Sequence, residues 1–167
     1  MPHPFVRPDP VRPGEESVWQ YPRPPVLEPV DKRIRVVFNG QVVADTRGAW
    51  RVLETSHPPV YYLPEGDLRM DFLEEAGGGS LCEWKGAARY WTLRVGDAVA
   101  ERVGWSYPHP SPRFTALKGL IAFYASPMES CTVDGVEVEP QPGGFYGGWI
   151  TPEIKGPFKG GPGTWGW

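Results

Sequence analysis

Ten consecutive residues, Cys82-Glu83-Trp84-Lys85-Gly86-Ala87-Ala88-Arg89-Tyr90-Trp91, carry a thiol, a carboxylate, an amine, a guanidinium and three aromatic rings. A second dense stretch lies upstream, Glu54-Thr55-Ser56-His57-Pro58-Pro59-Val60-Tyr61-Tyr62-Leu63-Pro64. The two read as opposite walls of one pocket. Lys85 precedes a glycine, which places it at a turn. It is either a solvated turn lysine or a cation on a pocket rim that meets an anionic ligand. If Trp84, Tyr90 and Trp91 strip water from it, its amine falls toward a nucleophile's pKa. Glu54 and His57 could form an oriented acid–base pair. The bland alternative is that Glu54 serves a buried backbone group or Arg69 while His57 caps a turn. Cys82 needs a cation or a helix start beside it to become reactive; otherwise it is a small buried apolar residue. Strand alternation puts Cys82 and Trp84 on one face and Glu83 and Lys85 on the other, separating thiol from amine. Arg69, Arg89 and Arg94 could grip a carboxylate or phosphate, or simply pair with surface acids. Aromatic residues such as Tyr62, Tyr90 and Trp105 suit a core, and with a polar handle left over they suit a cage for a flat or cationic ligand. The candidate ligand-binding set is Glu54, His57, Tyr62, Arg69, Cys82, Lys85, Arg89, Tyr90 and Trp105.

The rest of the chain must position these groups. Its 167 residues suffice for one domain, and 40% hydrophobic with 22% charged residues mark a soluble globular protein. A net charge of −3 offers no basic surplus for phosphates, so nucleic acid is not an expected partner. No apolar run reaches the length of a membrane span, and the start Met-Pro-His-Pro-Phe-Val-Arg lacks the apolar stretch of a signal peptide, so the expectation is a cytoplasmic protein with no membrane partner. His3, His57 and His109 are scattered, and Cys82 and Cys131 form no Cys-x-x-Cys pair. Neither a zinc site nor any other metal or cofactor is expected, and a disulfide is not expected in that compartment.

Glycine and proline number 21 each and tryptophan 8. The first two break helices and the third favours strands, so the expected fold class is all-β, with long Pro/Gly-rich loops and little helix. Residues 1–30 read as a proline-rich arm that docks through Trp19 and Tyr21. Residues 31–140 read as the core domain, and 141–167 as a Gly/Trp-rich tail. Asn39-Gly40 and Asp134-Gly135 are the clean hairpin turns, joining strands over 34–38 and 41–46 and over 129–133 and 136–138. Further strands are expected over 60–63, 81–85, 87–95, 98–107 and 120–124. Leu68, Met70 and Phe72 alternate, which favours a strand over 67–73 above a helical turn. Gly77-Gly78-Gly79 reads as a loop tip, Phe114–Leu120 as a helical turn, and periodicity stops at Glu139.

Several of these segments resemble the bacterial domain-of-unknown-function 427 family. They are Val37 to Thr46, Glu54 to Pro64, Cys82 to Trp91, Trp105-Ser106-Tyr107-Pro108 and Ala122-Phe123-Tyr124, and the likeness runs over about residues 30–140. The resemblance implies a single-domain β-tent, an antiparallel architecture whose other members hold zinc through cysteines that have no counterpart here. The family also carries a nucleotidyltransferase-like label. That chemistry needs carboxylates holding magnesium over a triphosphate, yet Asp67 and Asp71 are wrongly spaced for an Asp-x-Asp pair, and no glycine loop opens onto a helix. The functional expectation is a small-molecule-binding β domain with its pocket between residues 54–64 and 82–91. Two alternatives stand beside it: an enzyme on a small metabolite using Lys85, His57 or Glu54, and an interaction domain whose arm and tail dock on a partner or form a homodimer.

Overall fold

Ile34, Val36 and Phe38 are buried while Arg35 and Val37 between them are half-buried, the two-residue period of a strand with one face on a core. Asn39 and Gly40 then reverse the chain at φ values of 47° and 77°. Both are positive, as a two-residue type I′ hairpin requires, and Asp134-Gly135 repeats the turn at 48° and 79°. A computed structural model describes residues 6–82 and 84–167. Its strands are β1 (Glu16–Ser17), β2 (Val26–Pro29), β3 (Ile34–Phe38), β4 (Gln41–Thr46), β5 (Trp50–Leu53), β6 (Val60–Pro64), β7 (Leu73–Cys82), β8 (Gly86–Val95), β9 (Ala98–Ser106) and β10 (Leu120–Phe123). They continue with β11 (Ser130–Val133), β12 (Val136–Glu137), β13 (Glu139–Pro140), β14 (Trp149–Ile150) and β15 (Ile154–Lys155). The fold is all-β, as composition indicated. Among the described residues the helical content is confined to short 3-10 turns, and no helix is long and apolar enough to cross a membrane.

A seven-stranded sheet in the order β2-β5-β6-β10-β9-β8-β7 is antiparallel throughout, and a four-stranded sheet runs β12-β11-β3-β4. The main core lies between them. Ile34, Val36, Val43 and Val133 of the small sheet meet Tyr61, Leu63, Leu93, Ile121 and Phe123 of the large one. Alternation sends Tyr62, Trp105, Leu120 and Ala122 to the opposite face of the large sheet, where they form a second cluster with Phe114 and Leu117 of the 3-10 turn Pro112–Leu117. β10 is buried along its whole length because both of its faces are covered.

The arm and the tail hold each other. β1 pairs in parallel with β15, and Val18, Trp19 and Tyr21 pack on Leu53 and Ile154. Trp19 Nε1 donates to the Pro157 carbonyl at 2.9 Å. Arg51 ties this corner to the large sheet, bonding Glu28 at 2.7 Å and Glu16 at 3.1 Å, and Glu16 accepts from the Tyr21 hydroxyl at 2.6 Å. Trp149 of the tail is inserted into the main core, and its indole N–H donates to the Phe123 carbonyl at 2.9 Å.

Two local expectations are corrected. Residues 67–73 do not form one strand: 3-10 turns occupy Glu65–Asp67 and Met70–Phe72, and only Leu73 is in a strand, as the start of β7. Leu68 between them is buried in the core, and the Arg69 N–H donates to the Val43 carbonyl at 2.8 Å, so the segment staples β4 rather than extending a sheet. Gly77-Gly78-Gly79 is not a loop tip. It lies inside β7, where the register with β8 slips between Ala76 and Gly79, the signature of a bulge.

Trp149 sets a stability test. It is 1% exposed, whereas Trp165 of the same tail is 83% exposed. Trp149→Ala empties an aromatic site and orphans the Phe123 carbonyl, so chemical denaturation is expected to report a loss of about 3–5 kcal/mol. Trp165→Ala is expected to stay within about 0.5 kcal/mol of the parent.

Candidate functional site

The floor of the site is a single row across the large sheet. Trp50, Tyr62, Ala122, Trp105 and Tyr90 are successive partners on β5, β6, β10, β9 and β8, so their side chains share a face. Ala122, the one small residue of the row, stands between Tyr62 and Trp105. The Trp105 indole N–H bridges above it to the Tyr62 hydroxyl at 3.2 Å. Tyr124 packs at a tilt against Trp105 with ring centres 4.7 Å apart, and Tyr107 lies 6.3 Å from Tyr62. Burial, then Tyr107, drives the Tyr62 hydroxyl well above the usual phenol value, so it stays protonated. Tyr62, Trp105 and Tyr90 of this row line a cavity of about 460 Å³.

Three segments wall the cavity. The first is Glu54, His57, Pro58 and Val60, in and before β6. The second is the β7–β8 turn with Ser80, Leu81, Cys82, Trp84, Lys85 and Ala88. The third is Phe145, Tyr146, Gly147 and Lys159 from the tail. Gly147 is required by its contact: a Cβ there would lie 2.1 Å from Cη2 of Trp105. Only a bare backbone can press that close to the indole. The Tyr124 hydroxyl anchors the same loop by donating to the Phe145 carbonyl at 2.9 Å.

His57 is the best-defined polar group. The Gln141 carboxamide oxygen accepts the Gly148 N–H at 3.0 Å, which turns its nitrogen toward the Lys159 carbonyl at 2.8 Å and His57 Nδ1 at 3.0 Å. Nδ1 therefore accepts, and the ring carries its proton on Nε2. Nε2 faces Glu54 Oε2 at 3.8 Å, too far for a hydrogen bond, and Tyr146 packs edge-on at 4.7 Å. Burial, followed by the Lys159, Arg23 and Lys85 charges, pushes His57 down to about 3. The imidazole is neutral at physiological pH and offers an N–H donor.

Lys85 sits in the β7–β8 turn, which Ser111 clamps. The Ser111 hydroxyl donates to the Trp84 carbonyl at 2.5 Å, and its N–H donates to the Lys85 carbonyl at 3.1 Å. Because Trp84 and Lys85 are turn residues, strand alternation does not extend to them. The separation of Cys82 from Lys85 onto opposite faces is therefore corrected, since both line the same cavity. Glu83 lies outside the described residues. Lys85 Nζ lies 5.9 Å from the Tyr107 ring centre and 6.0 Å from that of Phe114, while Lys159 Nζ lies 5.6 Å from Tyr146.

Of the residues singled out in the sequence, Glu54, His57, Tyr62, Cys82, Lys85, Tyr90 and Trp105 are brought together on the cavity wall. Arg69 is not among them, being exposed and held by Asp71 at 2.7 Å with its guanidinium over Phe72. Arg89 projects from the other face of β8 and pairs with Glu75 at 3.2 Å. Cys131 is in the main core, where burial pushes its thiol up to about 12, and both cysteines are free. Among the described residues no group of three or more His, Cys, Asp or Glu could hold a metal ion. Tyr107 and Tyr124 were legible in the sequence only as aromatics suited to a core or a cage, and sequence reasoning missed Gln141, Tyr146, Gly147 and Lys159. The only local signal for the tail residues was the run Gly143-Gly144-Phe145-Tyr146-Gly147-Gly148, whose glycines announce close backbone contact without naming the partner.

No curated protein matches the chain. Residues 26–134 match the family described as a domain of unknown function, DUF427. The match takes in β2 to β11 with the β7–β8 turn and the Glu54–Pro64 segment, and it stops short of Gln141, Tyr146, Gly147 and Lys159. With well over half of its residues inside that match, the chain belongs to the DUF427 family.

Proposed function

We propose that this protein binds a small molecule with a flat, largely apolar body, taken into the cavity over Trp105. The observation that carries this is the cavity itself: about 460 Å³ of space lined by the aromatic rings of Tyr62, Tyr90, Trp105, Tyr107 and Tyr124. That volume falls in the roughly 300–1,000 Å³ range of small-molecule sites, which pair apolar walls with a few fixed polar groups. Trp105 and Tyr124 offer stacking faces. The Nε2–H of His57 and the Glu54 carboxylate offer one donor and one acceptor to orient the guest. The same geometry argues against His57 as a general base. A general base needs a free lone pair, and in His57 the Nδ1 lone pair is occupied by Gln141 while Nε2 carries the proton.

Native mass spectrometry of protein purified from cells is expected to show a species heavier than the chain by one small ligand. Ala88→Phe, which fills the cavity from a half-buried strand position, is expected to abolish that species while leaving the melting temperature nearly unchanged. A parent chain that carries no ligand, and binds none from a cell metabolite extract, would overturn the reading.

The state of His57 has its own consequence. Its folded pKa lies below the unfolded value of about 6.5, so between that value and about 3 the unfolded chain binds a proton that the folded chain does not. The stability this represents is present above pH 6.5 and is lost as the pH falls toward 3. Urea unfolding at pH 7.5 and at pH 5 is expected to show the parent losing about 1–2 kcal/mol more than His57→Gln. Nitrogen-15 spectra should hold the neutral Nε2–H form down to pH 4.

A further inference from the structure

We infer that the molecule bound over Trp105 carries an acid group, a carboxylate or a phosphate, seated between Lys85 and Lys159. This rests on the binding function proposed above and adds the charge of the guest. The charged side chains on the cavity wall are Glu54, Lys85 and Lys159. Glu54 is already engaged, with Arg23 Nε at 3.8 Å and His57 Nε2 at 3.8 Å from its Oε2. Among the described residues neither lysine pairs with an acidic side chain. Lys159 Nζ meets a main-chain oxygen of Trp167, the last residue, at a long 3.4 Å. Around His57 the described charges are therefore three cations, Arg23, Lys85 and Lys159, to one carboxylate.

Among the described residues each ammonium packs near rings: Tyr107 and Phe114 around Lys85, and Tyr146 beside Lys159. Ring faces attract a cation but do not neutralise it. Burial, then Arg23, pulls Lys159 below the usual lysine value, with Glu54 acting against them, so its charge is not fully compensated. The two lysines come from different walls of the cavity, the β7–β8 turn and the tail, and an anion is the charge that suits both. A cationic guest would meet both lysines and find only Glu54, which Arg23 already holds. His57 adds no charge of its own and supplies an N–H donor, which an acid oxygen accepts.

Calorimetric titration of the full chain with 2-naphthoate, 2-naphthyl phosphate and the neutral 2-naphthamide tests this. At least one acid is expected to bind about tenfold or more tighter than the amide, and the two acids distinguish carboxylate from phosphate as the preferred group. Lys85→Gln and Lys159→Gln should each erode that preference, as should added salt. Arg89→Gln, outside the cavity, should leave it intact, and melting curves check that all three variants fold. Equal binding of amide and acids overturns the charge inference and leaves the binding function standing. If no probe binds, the ligand retained in native mass spectrometry decides: an acid supports the inference, and a neutral or cationic molecule overturns it. A chain with no retained ligand and no bound probe overturns the inference together with the binding function.

Discussion

A sheet that is apolar on both faces must have both faces covered. The seven-stranded sheet presents Tyr61, Leu63, Ile121 and Phe123 on one side and Tyr62, Trp105, Leu120 and Ala122 on the other. The four-stranded sheet covers the first side. Among the described residues no second sheet covers the other. Left open, that face would be a contiguous aromatic patch of the kind soluble monomers rarely expose. It is closed piecemeal, by Phe114 and Leu117 of the 3-10 turn, by Trp84 of the β7–β8 turn, and by the loop around Gly147. The cavity is the part of that face which the three covers leave unfilled.

The gap falls where it does for a steric reason. The cover is held off from above because its closest contact, Gly147, rests on the indole edge of Trp105, while Tyr124 holds the loop by the Phe145 carbonyl. Gln141 completes the cover with one side chain, joining the Gly148 N–H, the Lys159 carbonyl and His57. The residues that shape the space are thus the same ones that fix the tail in place.

Much of the fold was legible because its signals are local. Asn39-Gly40 and Asp134-Gly135 sit in the positive-φ pairs that their turn type demands, and the alternation in Ile34–Phe38 names its buried face unaided. The two dense segments could be read as pocket walls because aromatic residues with polar handles crowd each of them. What failed was parity and distance. Leu68, Met70 and Phe72 have strand spacing, yet 3-10 turns tolerate the same spacing when Leu68 alone needs burial. Arg89 belongs to the parity opposite Ala88 and Tyr90, so its place outside the cavity was readable, whereas Cys82 and Lys85 were separated by an alternation that ends where the turn begins. Lys159 and Gln141 lie far along the chain from His57 and Glu54, in a stretch whose strands are two residues long. Elements that short leave no period to detect, and their contacts are set by the tertiary fold alone.

The charges around His57 link these features. Arg23, Lys85 and Lys159 help keep the imidazole neutral, and the same imbalance leaves the cavity short of negative charge. An anionic guest would relieve the repulsion between those cations and a charged imidazole, which taken alone favours protonation. The larger cause of the neutral state is burial, however, and a guest that fills the cavity removes more water from the ring. The two effects oppose each other, and desolvation is the one that a flat, apolar body strengthens. In the structure as it stands His57 is a neutral donor, its Nδ1 held by Gln141. Fixed in that way it has no free lone pair with which to take a proton.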